Sequence, residues 1–137
     1  LGLMTGLPVY LDNSAPLVDF KDAAQPVNGG LAGGKNINPT TRSLWAGDLN
    51  GDRRVIFQGP DNDVFHLFSH VLSDDLNHNF LSNFISQGYH RTDLNMDGAA
   101  IYQGPNNDRS LLLFNTVLGH VGNPYNLANF IVGEKIP

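Results

Sequence analysis

Asp48–Asp63 reads DLNGDRRVIFQGPDND, and Asp93–Asp108 reads DLNMDGAAIYQGPNND. A shift of 45 residues superimposes the two strings with ten of sixteen positions identical. Asp48, Leu49, Asn50, Asp52, Ile56, Gln58, Gly59, Pro60, Asn62 and Asp63 recur as Asp93, Leu94, Asn95, Asp97, Ile101, Gln103, Gly104, Pro105, Asn107 and Asp108. Further on the shift becomes 46, so the second copy holds one extra residue. In that register Leu67-Phe68 matches Leu113-Phe114, Val71-Leu72 matches Val117-Leu118, and Asn83-Phe84-Ile85 matches Asn129-Phe130-Ile131. A repeat this long is a supersecondary unit, and it governs the reading of the chain.

Each copy carries the same local signals. An acidic loop leads into a short β-like stretch, Val55-Ile56-Phe57 or Ala100-Ile101-Tyr102, and Gln-Gly-Pro breaks it. An Asn-Asp pair then precedes an apolar run at helical spacing: Phe65, Phe68, Val71 and Leu72 in the first copy, Leu113, Phe114, Val117 and Leu118 in the second. A polar loop follows, and each copy closes with an apolar segment, Phe80–Ile85 or Leu127–Val132. The repeats run over residues 46–86 and 91–132, inside a domain expected to span 44–137. Residues 1–43 lack a helical stripe, and Leu7–Leu11 and Leu17–Phe20 read as short strands. Asn28–Gly34 reads as a glycine-rich loop, and Trp45 as a core anchor. The predicted fold class is therefore α+β: a β-rich N-terminal segment, then a pseudo-twofold pair of loop–helix units packed through their apolar helix faces. A few short strands make no stable sheet alone. An incomplete sandwich completed in trans is the expectation, with residues 1–11 as a possible donor strand.

Both acidic loops spell D-x-N-x-D. In a calcium loop, side-chain oxygens at positions 1, 3 and 5 converge on the ion and position 7 adds a backbone carbonyl. The candidate ligands of the first loop are Asp48, Asn50, Asp52 and the Arg54 carbonyl; those of the second are Asp93, Asn95, Asp97 and the Ala99 carbonyl. Position 6, where the turn favours glycine, is Gly98 in the second loop but Arg53 in the first, which should be the less regular. Position 12 should offer a carboxylate but is Gly59 or Gly104. The next acids, Asp63 and Asp108, either close an expanded site or cap the following helices. Two calcium ions are the expected cofactors; the alternative is a pair of metal-free Asx-turns.

At these residues the chain resembles the duplicated calcium-loop-plus-helix of type I dockerins, over Gly47–Val71 and Thr92–Val117. It departs from them in the missing position-12 carboxylate and in the Gly-Pro-x-Asn-Asp extension. It is also similar to dockerin-like C-terminal regions of Bacteroidota cell-surface proteins. The pattern W-A-G-D-x-N-x-D-x-x-V-I-F-Q-G-P-x-N-D is carried here by Trp45–Asp63, with Asn-Phe-Ile closing the second copy. That resemblance implies a preceding β-sandwich segment and an extracellular or cell-surface location.

Composition narrows the function classes. The 137 residues include 8 Lys and Arg against 13 Asp and Glu, for a net charge of −5. With no basic stripe, nucleic acid is not an expected partner. Cysteine is absent, which excludes disulfides, thiolate metal sites and a Cys nucleophile. No apolar run is long enough for a membrane helix. A first residue of Leu1 without a signal pattern suggests a mature, trimmed or partial chain. His66 and His70 stand four apart on a predicted helix, yet their counterparts in the second copy are Leu111 or Leu112 and Thr116, so they read as surface histidines. No nucleophile elbow occurs, and Glu134 is the only glutamate, so an enzyme is not expected. Phe65, Phe68, Phe114 and Phe130 read as core, and Tyr89, Tyr102 and Tyr125 as candidates for sugar stacking. The expected function is an extracellular calcium-stabilised structural or adhesive protein, with a filament subunit joined to copies of itself by strand donation as its expected form. The alternatives are a docking module for a cohesin-type surface partner and a glycan-binding accessory of a secreted enzyme.

Overall fold

The computed structural model describes residues 4–9 and 17–134. The chain is α+β, with short antiparallel strand pairs and two helices. It divides into two compact units: one built from the described residues up to Trp45 together with Glu134, the other Ala46–Gly133.

In the first unit, β1 (Lys35–Asn38) and β2 (Thr41–Ser43) form a hairpin. Asn38 shapes its turn: the side-chain oxygen accepts from the Thr40 N–H at 2.9 Å, an Asx-turn. Arg42 is buried, and its guanidinium donates to the Gln25 and Ala23 carbonyls at 2.8 and 2.7 Å and to Asn36 Oδ1 at 3.3 Å. One side chain thereby ties the preceding loop to the hairpin. Strands fall here rather than at the expected places. Leu7–Val9 and Leu17–Phe20 are not strands, and Leu7 and Leu17 are exposed. Pro8 lies within the first segment and Pro16 directly precedes the second, and a proline removes a ladder donor. Residues 1–3 and 10–11 of the expected donor strand lie outside the described residues. The glycine-rich loop holds a single 3₁₀ turn, Gly30–Ala32.

In the second unit each repeat gives a loop, a strand, a helix and a closing strand. The first copy holds β3 (Arg54–Ile56), α1 (Asp63–Leu72) and β4 (Ile85–Gln87). The second holds β5 (Ala99–Ile101), α2 (Asp108–Leu111) running on into a π-helical segment (Leu112–Val117), and β6 (Ile131–Gly133). The strands pair between copies, not within them. β3 pairs with β6, Arg54 opposite Gly133; β5 pairs with β4, Ala99 opposite Gln87. The repeat maps one pairing onto the other, so each copy completes its partner's ladder. Leu49, Leu67, Val71 and Ala100 form a buried cluster from both copies, with Phe84, Leu94 and Tyr102 packed on it. Gly47 is required where the chain enters this core. At φ 116° a side chain is disfavoured, and a Cβ would stand 2.4 Å from Leu112 Cδ1.

The π-helical segment accounts for the extra residue of the second copy. Leu67 and Leu112 are both fully buried, as are Val71 and Val117. Three residues separate the first pair and four the second, and the wider i→i+5 turn, Leu118 N–H to Leu113 carbonyl at 2.8 Å, absorbs the difference. Burial thus aligns Leu67 with Leu112, not with Leu113 as identity alone suggests. Phe65 and Phe114, expected in the core, are each 61 % exposed.

Candidate metal centre

The loops fold through side-chain-to-backbone hydrogen bonds that D-x-N-x-D is suited to make. Asp48 Oδ1 accepts from the N–H groups of Gly51 and Asp52 at 2.7 and 3.1 Å, and Oδ2 from Arg53 at 3.1 Å. Asn50 Oδ1 accepts from the Asp52 N–H at 2.9 Å, and Asp52 Oδ1 from the Arg54 N–H at 2.8 Å. The second loop repeats four of these five bonds. Asp93 accepts from Asp97 and Gly98 at 3.1 and 2.9 Å, Asn95 from Asp97 at 2.9 Å, and Asp97 from Ala99 at 3.0 Å. Arg54 and Ala99, whose carbonyls the loop pattern nominates, open β3 and β5. Arg53, at φ 69°, takes the left-handed conformation that Gly98 takes at φ 85°. Gly51 and Met96 match in the same way, at φ 81° and 60°, so the two loops share one backbone path and each holds one non-glycine residue in the left-handed region.

Asp63 and Asp108 are fully buried and bind both ends of their loops. Asp63 Oδ1 accepts from the Leu49 N–H and Oδ2 from the Ile56 N–H, both at 2.7 Å. Asp108 accepts from Leu94 at 2.7 Å and Ile101 at 2.8 Å. Neither residue caps its helix. That work falls to Asn62 and Asn107, whose side-chain oxygens accept from the Phe65 and Ser110 N–H groups at 2.9 and 2.8 Å. The sequence signal was the Asn-Asp pair; only its division of labour needed the structure.

Burial pushes the Asp63 carboxyl above its ordinary pKa, the Ile56 and Leu49 N–H groups oppose this, and the charges of Asp48 and Asp52 add to the rise. Asp108 is raised in the same way, first by burial and also by Asp93, against the N–H groups of Ile101, Leu94 and Asn95. Each loop thus sets a buried carboxylate within the field of its other acids. A carboxylate offers about four lone-pair directions. The backbone uses three at Asp48 and two at Asp63, so oxygen directions remain on both. The donors are carboxylate, amide and carbonyl oxygens, a set that fits a hard cation such as calcium. Among the described residues no group of three or more His, Cys, Asp or Glu side chains is arranged to hold a metal ion. Any cage must therefore draw on the amide and carbonyl oxygens as well as the acids.

A second polar group occurs in the first copy only. Ser86 Oγ donates to Asp74 Oδ2 at 2.5 Å and lies 3.3 Å from His70 Nε2, and the His70 and His90 rings stand 4.6 Å apart. Asp74 takes the single Ser86 proton, so His70 Nε2 is the donor to Ser86 Oγ. Burial, then the neighbouring His90, lowers the His70 pKa, against the pull of Asp74. Ser86 is itself buried, so its hydroxyl is no accessible nucleophile. His66 lies apart from this group, its ring against Phe65.

No protein-family model, no curated protein and no solved structure matches the chain. Among the described residues no helix is long and apolar enough to cross a membrane.

Proposed function

We propose that the protein is an extracellular or cell-surface structural or adhesive module whose dockerin-like repeats each bind one calcium ion, and that it is not an enzyme. The observation that carries this reading is the buried carboxylate of Asp63, and of its twin Asp108, set among the acids of its own loop. A cation there relieves both burial and repulsion. In this reading Asp48, Asn50, Asp52, Asp63 and the Arg54 carbonyl serve one ion. Asp93, Asn95, Asp97, Asp108 and the Ala99 carbonyl serve the other. The pseudo-twofold pair is then locked at equivalent points, as a load-bearing stalk or filament subunit requires. The N-terminal unit would be an incomplete sandwich that a copy of the chain, or another surface protein, completes by strand addition.

Calorimetric titration with calcium tests the metal reading. Two ions per chain and a melting temperature that falls on adding EDTA are the expected results. No heat of binding together with an EDTA-indifferent melt would sink it. Deleting residues 1–11 tests the assembly. Electron microscopy should show filaments from the full chain and none from the truncated one, while the repeats still melt cooperatively.

A further inference from the structure

We propose that the cleft beside the π-helical segment of the second repeat is a saccharide-binding site. The argument begins with the extra residue. In α1 the helix runs regularly between buried Leu67 and Val71, and Phe68 packs against Tyr102 with ring centroids 4.8 Å apart. In the second copy the wide turn holds Phe114, 61 % exposed, with Asn115 exposed beside it. Both line an open cleft of about 380 Å³ whose other walls include Asn95, Asp97 and Asn106. That volume lies at the lower end of ligand-sized clefts. One residue difference opens it further: the small Ser110 stands where the first copy has Phe65. A π-bulge costs regular hydrogen bonding and is found preferentially where a helix serves a site.

The chemistry of the wall selects the ligand class. It carries no Lys, Arg or His, and Asp97 adds negative charge, so no side chain there offers an anionic phosphate or carboxylate a counter-charge. Amides predominate, and an amide both donates and accepts. Such a wall loses hydrogen bonds to an apolar ligand but matches a ring of vicinal hydroxyls, each of which also donates and accepts. The exposed Phe114 ring supplies an aromatic face for the C–H side of a sugar. Asn95 and Asp97 are shared with the proposed calcium loop, whereas Phe114, Asn115 and Asn106 are not proposed ligands, so the variants that test the cleft leave the ion's ligands in place.

Saturation-transfer NMR on the full chain tests it, with glucose, galactose, mannose, N-acetylglucosamine and their short β-linked oligomers as probes. Transfer to at least one sugar is expected. Phe114→Ala and Asn106→Gly should each weaken that sugar by about tenfold or more, while Phe114→Tyr retains it. Glycine suits position 106 because the backbone there is left-handed at φ 55°. Phe114 is exposed, so melting should be unchanged in these variants. Absence of transfer across the panel, or binding that survives Phe114→Ala, would overturn the proposal. Calcium calorimetry on the same variants keeps a failure here separate from a failure of the loops.

Discussion

A fully buried carboxylate is among the most expensive residues a small protein can keep, and among the described residues Asp63 and Asp108 are both fully buried. Asp63 holds both oxygens against backbone N–H groups seven and fourteen residues upstream. Asp63→Ala strands two buried donors, and the expected loss of stability is roughly 2–5 kcal/mol, read from urea unfolding midpoints. The same acid makes stability depend on pH. Its folded pKa lies above the unfolded value, so protonation favours the folded state. The contribution is fully present below the unfolded pKa and is lost as pH rises through the folded one. Metal-free protein should therefore lose melting temperature on going from about pH 4 to pH 7, and Asp108→Asn should reduce that slope. Saturating calcium should flatten it. An unchanged slope in the variant would place the pH dependence elsewhere.

At the scale of the element, the helix ends are set by asparagine at both sides. Asn62 and Asn107 open the helices. Asn77 closes the first by donating to the Val71 and Leu81 carbonyls at 2.8 and 3.0 Å and accepting from the Leu81 N–H at 2.8 Å. Asn123 makes the same three bonds to Val117 and Leu127. Both are buried, so the bonds are sheltered from water. Asn77→Ala should cost roughly 1–3 kcal/mol, whereas Asn79→Ala, at an exposed position, should stay within about 0.5 kcal/mol. Equal effects in chemical denaturation would show that the brace contributes nothing.

For the whole molecule, the strand exchange makes the two repeats one cooperative body. Neither β3 nor β5 has a partner within its own copy. A strand pair is marginal even when complete. Peptides covering residues 46–89 and 90–133 should each give a circular dichroism spectrum without a folded signature. Mixed in equal amounts, they should recover it. A well-dispersed NMR spectrum from either peptide alone would contradict this interlocking.

The sequence by itself determined the repeat, the Asx-rich loops and the start of each helix. Those features arise from bonds between residues two to five apart, such as Asn50 to Asp52 and Asn62 to Phe65, and side-chain type at a given spacing is enough to specify them. Only the tertiary structure decided which strands pair, where the additional residue goes and what Asp63 and Asp108 do. Each of these depends on contacts between distant residues. Val55 meets Val132 across the repeat boundary, and Leu112 and Val117 must both reach the interior, which forces the surplus residue into the exposed turn between them. The hairpin at Lys35–Ser43 is not legible in the sequence for the same reason. Its strands carry little apolar patterning and are held by Arg42, whose acceptors lie six to nineteen residues away.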